Sequence, residues 1–462
     1  MNNAFSVLPD QAEFVLLSFE GPDGYSQAGG LGVRITHLAE TLAAKGFRTH
    51  LIFIGDPDLP AQQECYAGNL RLYCWCQWIS QFHPAGVYDG EEGKRLDFTA
   101  TAPPFVVDQI ARPAAAEQRS LVVLAEEWHT ADALIQLSDQ LHAAGLRQKA
   151  VLAWNANNTM GFERIPWNRL GYVAALTTIS RYMKQVMRYS GQEALIIPNG
   201  IPAELVCPVP DDLLERVRDE LCRLGDLALM KVGRFDPAKC WWSAMEAAAR
   251  LKHAGRRPVF LCRGRIEPYG GEVLGHARAL GMQVCDVHGS PRTCEEVIEA
   301  VSSAGPADVY NLRFPLAQAL LRVFYAAVDV VLANSKHEPF GLVGLEAMAA
   351  GGVVFTAPTG ETYSNDREGA IALDSETPDE IVLQVNSLQA QAERVRTIRA
   401  TAPRIAARFT WDRVLEILFE KIQLAASFQG VSSYRDPCGV YGGGSALPGR
   451  GGGGGRGSGY MP

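Results

Sequence analysis

Between the apolar run Val328-Asp329-Val330-Val331-Leu332-Ala333 and the helix-forming segment Leu345-Glu346-Ala347-Met348-Ala349, the chain leaves room only for a short glycine-containing turn. The run reads as a buried parallel strand. Gly351 and Gly352 close the helix that follows. A strand delivered through a tight turn onto a helix is a unit of a parallel α/β sheet. Two carboxylates, Glu338 and Glu346, bracket the turn, and Phe340, Gly341 and Leu342 open their backbone N–H groups at the helix start. That arrangement suits a ligand with a diphosphate on one side and hydroxyl groups on the other.

The strand-to-helix alternation occurs in two series. The first runs through Phe14–Glu20, Thr49–Ile54, Asn69–Trp75, Leu121–Ala125, Val151–Asn155, Ala174–Ile179 and Ala194–Ile197. The second runs through Leu227–Val232, Val259–Cys262, Val284–Val287, Val309–Leu312, Val328–Ala333, Val353–Ala357 and Ala370–Leu373. Between them, Pro198-Asn199-Gly200-Ile201-Pro202 and a charged stretch, Asp211–Glu220, read as the connection. The expected division is a domain over 1–203, a second over 204–410, a final amphipathic helix over 411–427 and a glycine-rich tail over 428–462 that cannot bury enough surface to fold. Two parallel sheets in a chain of 462 residues fit two cores better than one.

A formal charge of −8 disfavours bulk binding to nucleic acid or an anionic membrane. No run of ~18 apolar residues offers a spanning helix, which leaves only peripheral contact with a membrane surface. The ten cysteines are scattered, several inside apolar runs, as in a reducing cytoplasm. They form no metal-binding spacing, so neither a metal nor a cofactor is expected.

Two loops are placed for a phosphate-bearing ligand. Ser26-Gln27-Ala28-Gly29-Gly30-Leu31-Gly32 links the first strand to the first helix, and the glycines Gly29, Gly30 and Gly32 permit close backbone approach. They do not fit the dinucleotide fingerprint G-x-G-x-x-G, which sets a nicotinamide-dependent oxidoreductase aside. In the second series, Lys231-Val232-Gly233-Arg234-Phe235-Asp236-Pro237-Ala238-Lys239 turns at Gly233 and sets two cations, Arg234 and Lys239, at a strand's carboxyl end. Two such cations stabilise the charge of a departing diphosphate; ordinary surface solvation is the plainer reading of them. His129, in Glu127-Trp128-His129-Thr130-Ala131, also ends a buried strand, where it serves either as a structural residue or as a partner for a sugar hydroxyl.

Together these elements resemble glycosyltransferase family 4, with echoes of the glycogen and starch synthases. Gly29-Gly30-Leu31-Gly32 resembles the synthases' donor loop, and Trp128-His129-Thr130-Ala131 their Asp-Trp-His-Thr segment. Gly233-Arg234 through Lys239 resembles the family's Arg/Lys pair, and Glu338 through Glu346 its E-x7-E motif. The chain departs from the synthases at Ser26-Gln27-Ala28, which lacks a lysine before the glycines, and at Glu127, which stands in place of Asp. The resemblance implies a GT-B fold, two Rossmann-like domains facing a central cleft. It also implies a retaining, metal-independent transfer of a hexosyl group from a nucleotide-diphosphate sugar, linked to UDP, ADP or GDP, to a glycan or small-molecule acceptor. By the same resemblance Arg234 and Lys239 hold the diphosphate, Glu338 and His129 the transferred sugar, and Glu346 the ribose. Gly29, Gly30, Gly32, Gly233, Phe340, Gly341 and Leu342 line the donor site. A sugar phosphorylase, a nucleotide-sugar epimerase or a non-catalytic nucleotide-sugar-binding protein would reuse the same groups.

Overall fold

The computed structural model describes residues 5–357, 360–365 and 368–434. The glycine-rich stretch after 434 lies outside the described residues, as do Pro358 and Thr359. The first sheet contains β1 (Ala12–Leu17), β2 (Arg48–Ile54), β3 (Gln62–Cys65), β4 (Leu70–Trp75), β5 (Ser120–Glu126), β6 (Ala150–Ala156), β7 (Ala175–Thr178) and β8 (Leu195–Ile196). Its order is β3-β4-β2-β1-β5-β6-β7-β8, parallel except for the antiparallel pair β3 and β4. The second contains β9 (Leu227–Val232), β10 (Pro258–Arg263), β11 (Val284–Val287), β12 (Val309–Leu312), β13 (Val330–Ala333), β14 (Val354–Thr356) and β15 (Ile371–Ala372). Its order is β11-β12-β10-β9-β13-β14-β15, and every pairing is parallel.

Each sheet reverses its winding direction once, between β1 and β5 in the first and between β9 and β13 in the second. The loops leaving these neighbouring strands diverge to opposite faces and open a crevice at the carboxyl edge, where ligands of open α/β sheets bind. The loops carrying Gly29–Gly32 and His129 therefore flank one crevice, and those carrying Arg234–Lys239 and Glu338–Leu342 flank the other.

The inner strands are buried on both faces because helices cover both, as in β1, where all six residues are buried. The helix Trp411–Phe428 covers the first sheet, although the chain has passed through the second before reaching it. Its buried Val414, Leu415, Leu418 and Ile422 join Phe14, Leu16, Ile35 and Leu38 in one core. The two crossings between the domains lie side by side: Ile201 N–H donates to Phe409 O at 2.9 Å and Trp411 N–H to Ile201 O at 3.0 Å. Gly200 permits this approach, since a Cβ there would run into the Trp411 indole.

Two expectations need revision, and one strand was not anticipated. The charged stretch beginning at Asp211 is a helix, Asp211–Leu224, whose Val217 and Leu221, one turn apart, are buried. Its acids Asp211 and Asp212 sit in the first turn, where they favour the helix dipole. The edge strand β3 carries the polar sequence Gln-Gln-Glu-Cys and shows no apolar alternation, so only pairing with β4 defines it. The tail does not come loose at 428. Gln429 exchanges side-chain hydrogen bonds with the Leu152 backbone at 2.7 and 3.1 Å, Val431 is buried, and Ser433 Oγ accepts from Ser6 N–H at 2.8 Å.

Candidate active site

The second crevice is built on a turn that only glycine makes easily. Gly233 has φ +150° and donates its N–H to Arg263 O at 3.0 Å, which lets β9 turn outward and leaves Arg234 exposed. Asp236 caps the short 3-10 turn Pro237–Lys239 by accepting from Ala238 N–H at 2.8 Å. That turn aims Lys239 Nζ across the crevice to Glu338 Oε2, 2.6 Å away. Lys336 N–H donates to Ala238 O at 2.8 Å, so the two loops are tied through their backbones as well.

Gly341, at φ +93°, begins the helix Leu342–Ala349; a Cβ there would meet the Tyr363 hydroxyl. Tyr363 donates to Phe340 O at 2.8 Å and holds the carbonyl side of the turn, leaving the N–H side open. Gly233, Lys239, Glu338, Phe340 and Gly341 line one narrow cavity of about 60 Å³. Arg234, Leu342 and Glu346 lie outside its lining. Glu346 turns instead toward the helix Gln318–Ala327, where Gln318 Nε2 donates to it at 3.3 Å. Burial pushes its carboxyl up to about 7.

Lys231 is a residue of this cavity to which the sequence reading gave no role. It is 2% exposed, and its Nζ donates to Asn334 Oδ1 at 2.6 Å and to Leu332 O at 3.3 Å, joining β9 to the end of β13. Burial lowers its pKa to about 7. A charged residue inside an otherwise apolar strand, Leu-Ala-Leu-Met-Lys-Val, was the available signal.

In the first crevice His129 lies in the 3-10 turn Trp128–Thr130, stacked between Phe19 at 4.2 Å and Trp128 at 4.0 Å. Burial lowers its pKa to about 4, so the ring is neutral near pH 7. Its Nε2 pairs with Glu91 Oε1 at 2.7 Å, which assigns the proton to Nε2. Nδ1 is then a buried acceptor with no partner among the described residues. Next to it Glu127, 3% exposed and at φ +66°, accepts from Asn157 N–H at 2.8 Å. Burial first, and then the neighbouring acids Glu126 and Glu20, push its carboxyl up to about 8.

The glycine loop differs from its expected use. Glu20 Oε2 accepts from Ala28 N–H at 3.2 Å, Gly29 N–H at 2.8 Å and Gly32 N–H at 2.9 Å. The protein's own carboxylate thus occupies the anion nest at this helix start, and Tyr88 donates to its other oxygen at 2.7 Å. Glu20, Tyr88 and Glu91 are site neighbours that the sequence did not reveal, because no motif connects them across 71 positions.

The two crevices face each other. A Cβ on Gly30 would lie 3.9 Å from the Leu342 side chain, and Arg265 Nη1 donates to Ala28 O at 3.1 Å. Arg181 N–H donates to Glu361 Oε2 at 3.0 Å, again across the cleft.

Two doubly wound domains with opposed switch points make up the GT-B fold. Residues 218–404 match the family model described as glycosyl transferases group 1. Among curated relatives, the D-inositol 3-phosphate glycosyltransferase of Geodermatophilus obscurus is 26% identical over 313 residues, 66% of this chain and 63% of that protein. The enzyme of that name from Thermobispora bispora is 24% identical over 430 residues, covering 87% of this chain and 92% of its own. Among solved structures, the sucrose-phosphate synthase of Thermosynechococcus elongatus superposes with a TM-score of 0.62 at 20% identity, over 90% of this chain and all of that one. The catalytic domain of starch synthase IV from Arabidopsis thaliana, bound to ADP and acarbose, gives 0.61 at 15% identity, over 90% of this chain and 100% of its own. No helix among the described residues is long and apolar enough to cross a membrane.

Proposed function

We propose that this chain transfers a hexosyl group from a nucleotide-diphosphate sugar to a hydroxyl of a glycan or small-molecule acceptor. The transfer retains anomeric configuration, and protein cations take the place of a divalent metal at the leaving diphosphate. The observation that carries this reading is the 2.6 Å Lys239–Glu338 pair beneath the open helix start at Gly341. A diphosphate entering there supplies Lys239 with a new anionic partner, accepts from the backbone N–H groups of Phe340, Gly341 and Leu342, and draws in the exposed Arg234. Glu338 then turns to the sugar, where its carboxylate hydrogen-bonds hydroxyls and offsets positive charge at the anomeric carbon.

In the reacting step the bond from the anomeric carbon to the phosphate oxygen breaks as the acceptor oxygen bonds on the same face. The acceptor's proton passes to the departing phosphate. Glu346 meets the ribose hydroxyls and His129 a hydroxyl of the transferred sugar. The loop Gly29–Gly32 contributes shape rather than a phosphate grip, since Glu20 holds its N–H groups. Closure of the two walls excludes water and limits donor hydrolysis. The names of the relatives make D-inositol 3-phosphate the first acceptor to try.

Arg234→Ala should lower kcat/KM roughly 100-fold or more, on the scale of losing one preorganised charge partner, with the melting temperature unchanged. Wild-type turnover in that variant removes the site assignment. Proton NMR of the product's anomeric signal reads the stereochemistry, and an inverted product removes the retaining mechanism.

A further inference from the structure

We propose that Lys231 is a third cation of the diphosphate subsite, and that its side chain takes up a proton when the donor binds. This rests on the nucleotide-sugar reading of the site and adds to it a binding residue and a proton. Lys231 stands in β9 just before the turn at Gly233, and it lines the same narrow cavity as Gly233, Lys239, Glu338 and Gly341. Its side chain is cut off from bulk water. The ring of Trp241 lies 5.3 Å from Lys231 Nζ, and the indole N–H donates to Arg234 O at 2.8 Å. Lys231 and the turn that carries Arg234 are thus set against one rigid side chain.

The hydrogen bonds point to the proton. An ammonium has three N–H donors and no lone pair, whereas the neutral amine has two donors and a lone pair. Lys231 Nζ meets two oxygens, Asn334 Oδ1 and Leu332 O, and no third acceptor among the described residues. Those two satisfy the amine but leave the ammonium one donor short in a buried place, which is costly. A phosphate oxygen entering the cavity supplies the missing acceptor and a negative charge together. The amine lone pair then takes a proton from solvent, and the new N–H donates to that oxygen.

The surrounding charges lead the same way. The turn Pro237–Lys239 brings Lys239, and the turn after β13 brings Glu338, already paired with Lys239 at 2.6 Å. In the cavity lining, among the described residues, one carboxylate therefore faces two lysines before a ligand arrives. β10 presents Cys262, the start of the helix Trp241–His253 presents Cys240, and the 3-10 turn Thr362–Asn365 presents Tyr363. Burial pushes all three up, so none carries charge near pH 7. Burial lowers Lys231 itself to about 7, with Lys239 adding to the fall and Glu338 and the two thiols opposing it. A bound diphosphate raises that value. The linked stabilisation is then complete below pH 7 and fades as pH climbs toward the value in the complex.

Calorimetry of the full chain with UDP, GDP and ADP at pH 8, in two buffers of different ionisation enthalpy, counts the protons. The second phosphate ionisation lies at about 6, so the nucleotide itself arrives deprotonated. The tightest of the three should bind with uptake of more than about 0.5 proton, and its affinity should fall about tenfold from pH 7 to pH 8.5. Lys231→Gln keeps a donor for Asn334 Oδ1 and has no proton to gain. Uptake should vanish in that variant, and its affinity should vary less than about threefold over the same range. Wild-type uptake below about 0.5 proton overturns the proposal, whatever the variant does. Uptake that persists in Lys231→Gln also overturns it and moves the proton to another group, Glu127 or Glu346. Failure of every nucleotide to bind overturns the donor reading itself, which binding without proton uptake would leave standing.

Discussion

Glu20 shows how one side chain sets what a loop can do. Its carboxylate satisfies three backbone donors at the start of the helix Gly30–Ala44. Removing it leaves those groups unpaired in a half-buried site, so Glu20→Ala should cost about 2 kcal/mol or more. Glu20→Gln keeps one acceptor oxygen and should cost clearly less; urea denaturation of the three proteins compares them, and equal stabilities contradict the assignment. Glu127 makes a prediction about pH. Its folded pKa, about 8, lies above the ordinary 4.5, so between those values the folded protein keeps a proton that the unfolded chain releases. Stability must therefore fall as pH rises through that window, by a few kcal/mol in total. Glu127→Gln retains the acceptor for Asn157 N–H and removes the titration. Its stability relative to wild type should rise steadily from pH 5 to pH 8, and a flat difference contradicts the burial argument.

Among the elements, those with a dense apolar signal were legible from the residues alone. The strands Leu227–Val232, Val284–Val287 and Val309–Leu312 stand where the apolar runs place them, and the final helix expected over 411–427 is Trp411–Phe428. The edge strand β3 and the helix Asp211–Leu224 were not legible, because pairing and two apolar residues, rather than a periodic pattern, define them. The same limit applied at the site. Motif spacing located the turn with Lys239 and the turn with Glu338, but it gave no hint that the two residues bond to each other or that Lys231 lies beneath them. Contacts between chain-distant loops follow from the sheet order, which a single sequence does not state. The helix Trp411–Phe428 is an element whose energetics can be measured. Leu418, 1% exposed in the core shared with Phe14 and Leu16, should cost about 3 kcal/mol on truncation to alanine. A loss below about 1 kcal/mol would mean that this helix does not belong to the first domain's core.

On the scale of the whole molecule, two switch points are held face to face by Arg265 on Ala28, by Glu361 on Arg181 N–H and by the paired crossings at Ile201 and Trp411. Division of labour follows from this placement: the second domain carries the cations and the open helix start, while the first carries a neutral histidine and an acid-rich wall. In the proposed function grip and chemistry are separate: Lys239 and the Gly341 turn would hold the phosphates, and Glu338 the sugar. Glu338→Gln is the measurement that tests this most directly, reading nucleoside-diphosphate affinity by calorimetry and transfer in a single turnover. Affinity within about threefold of wild type, with transfer slower by roughly 100-fold, is the predicted result. Unchanged transfer, or an equal loss of both quantities, would contradict it.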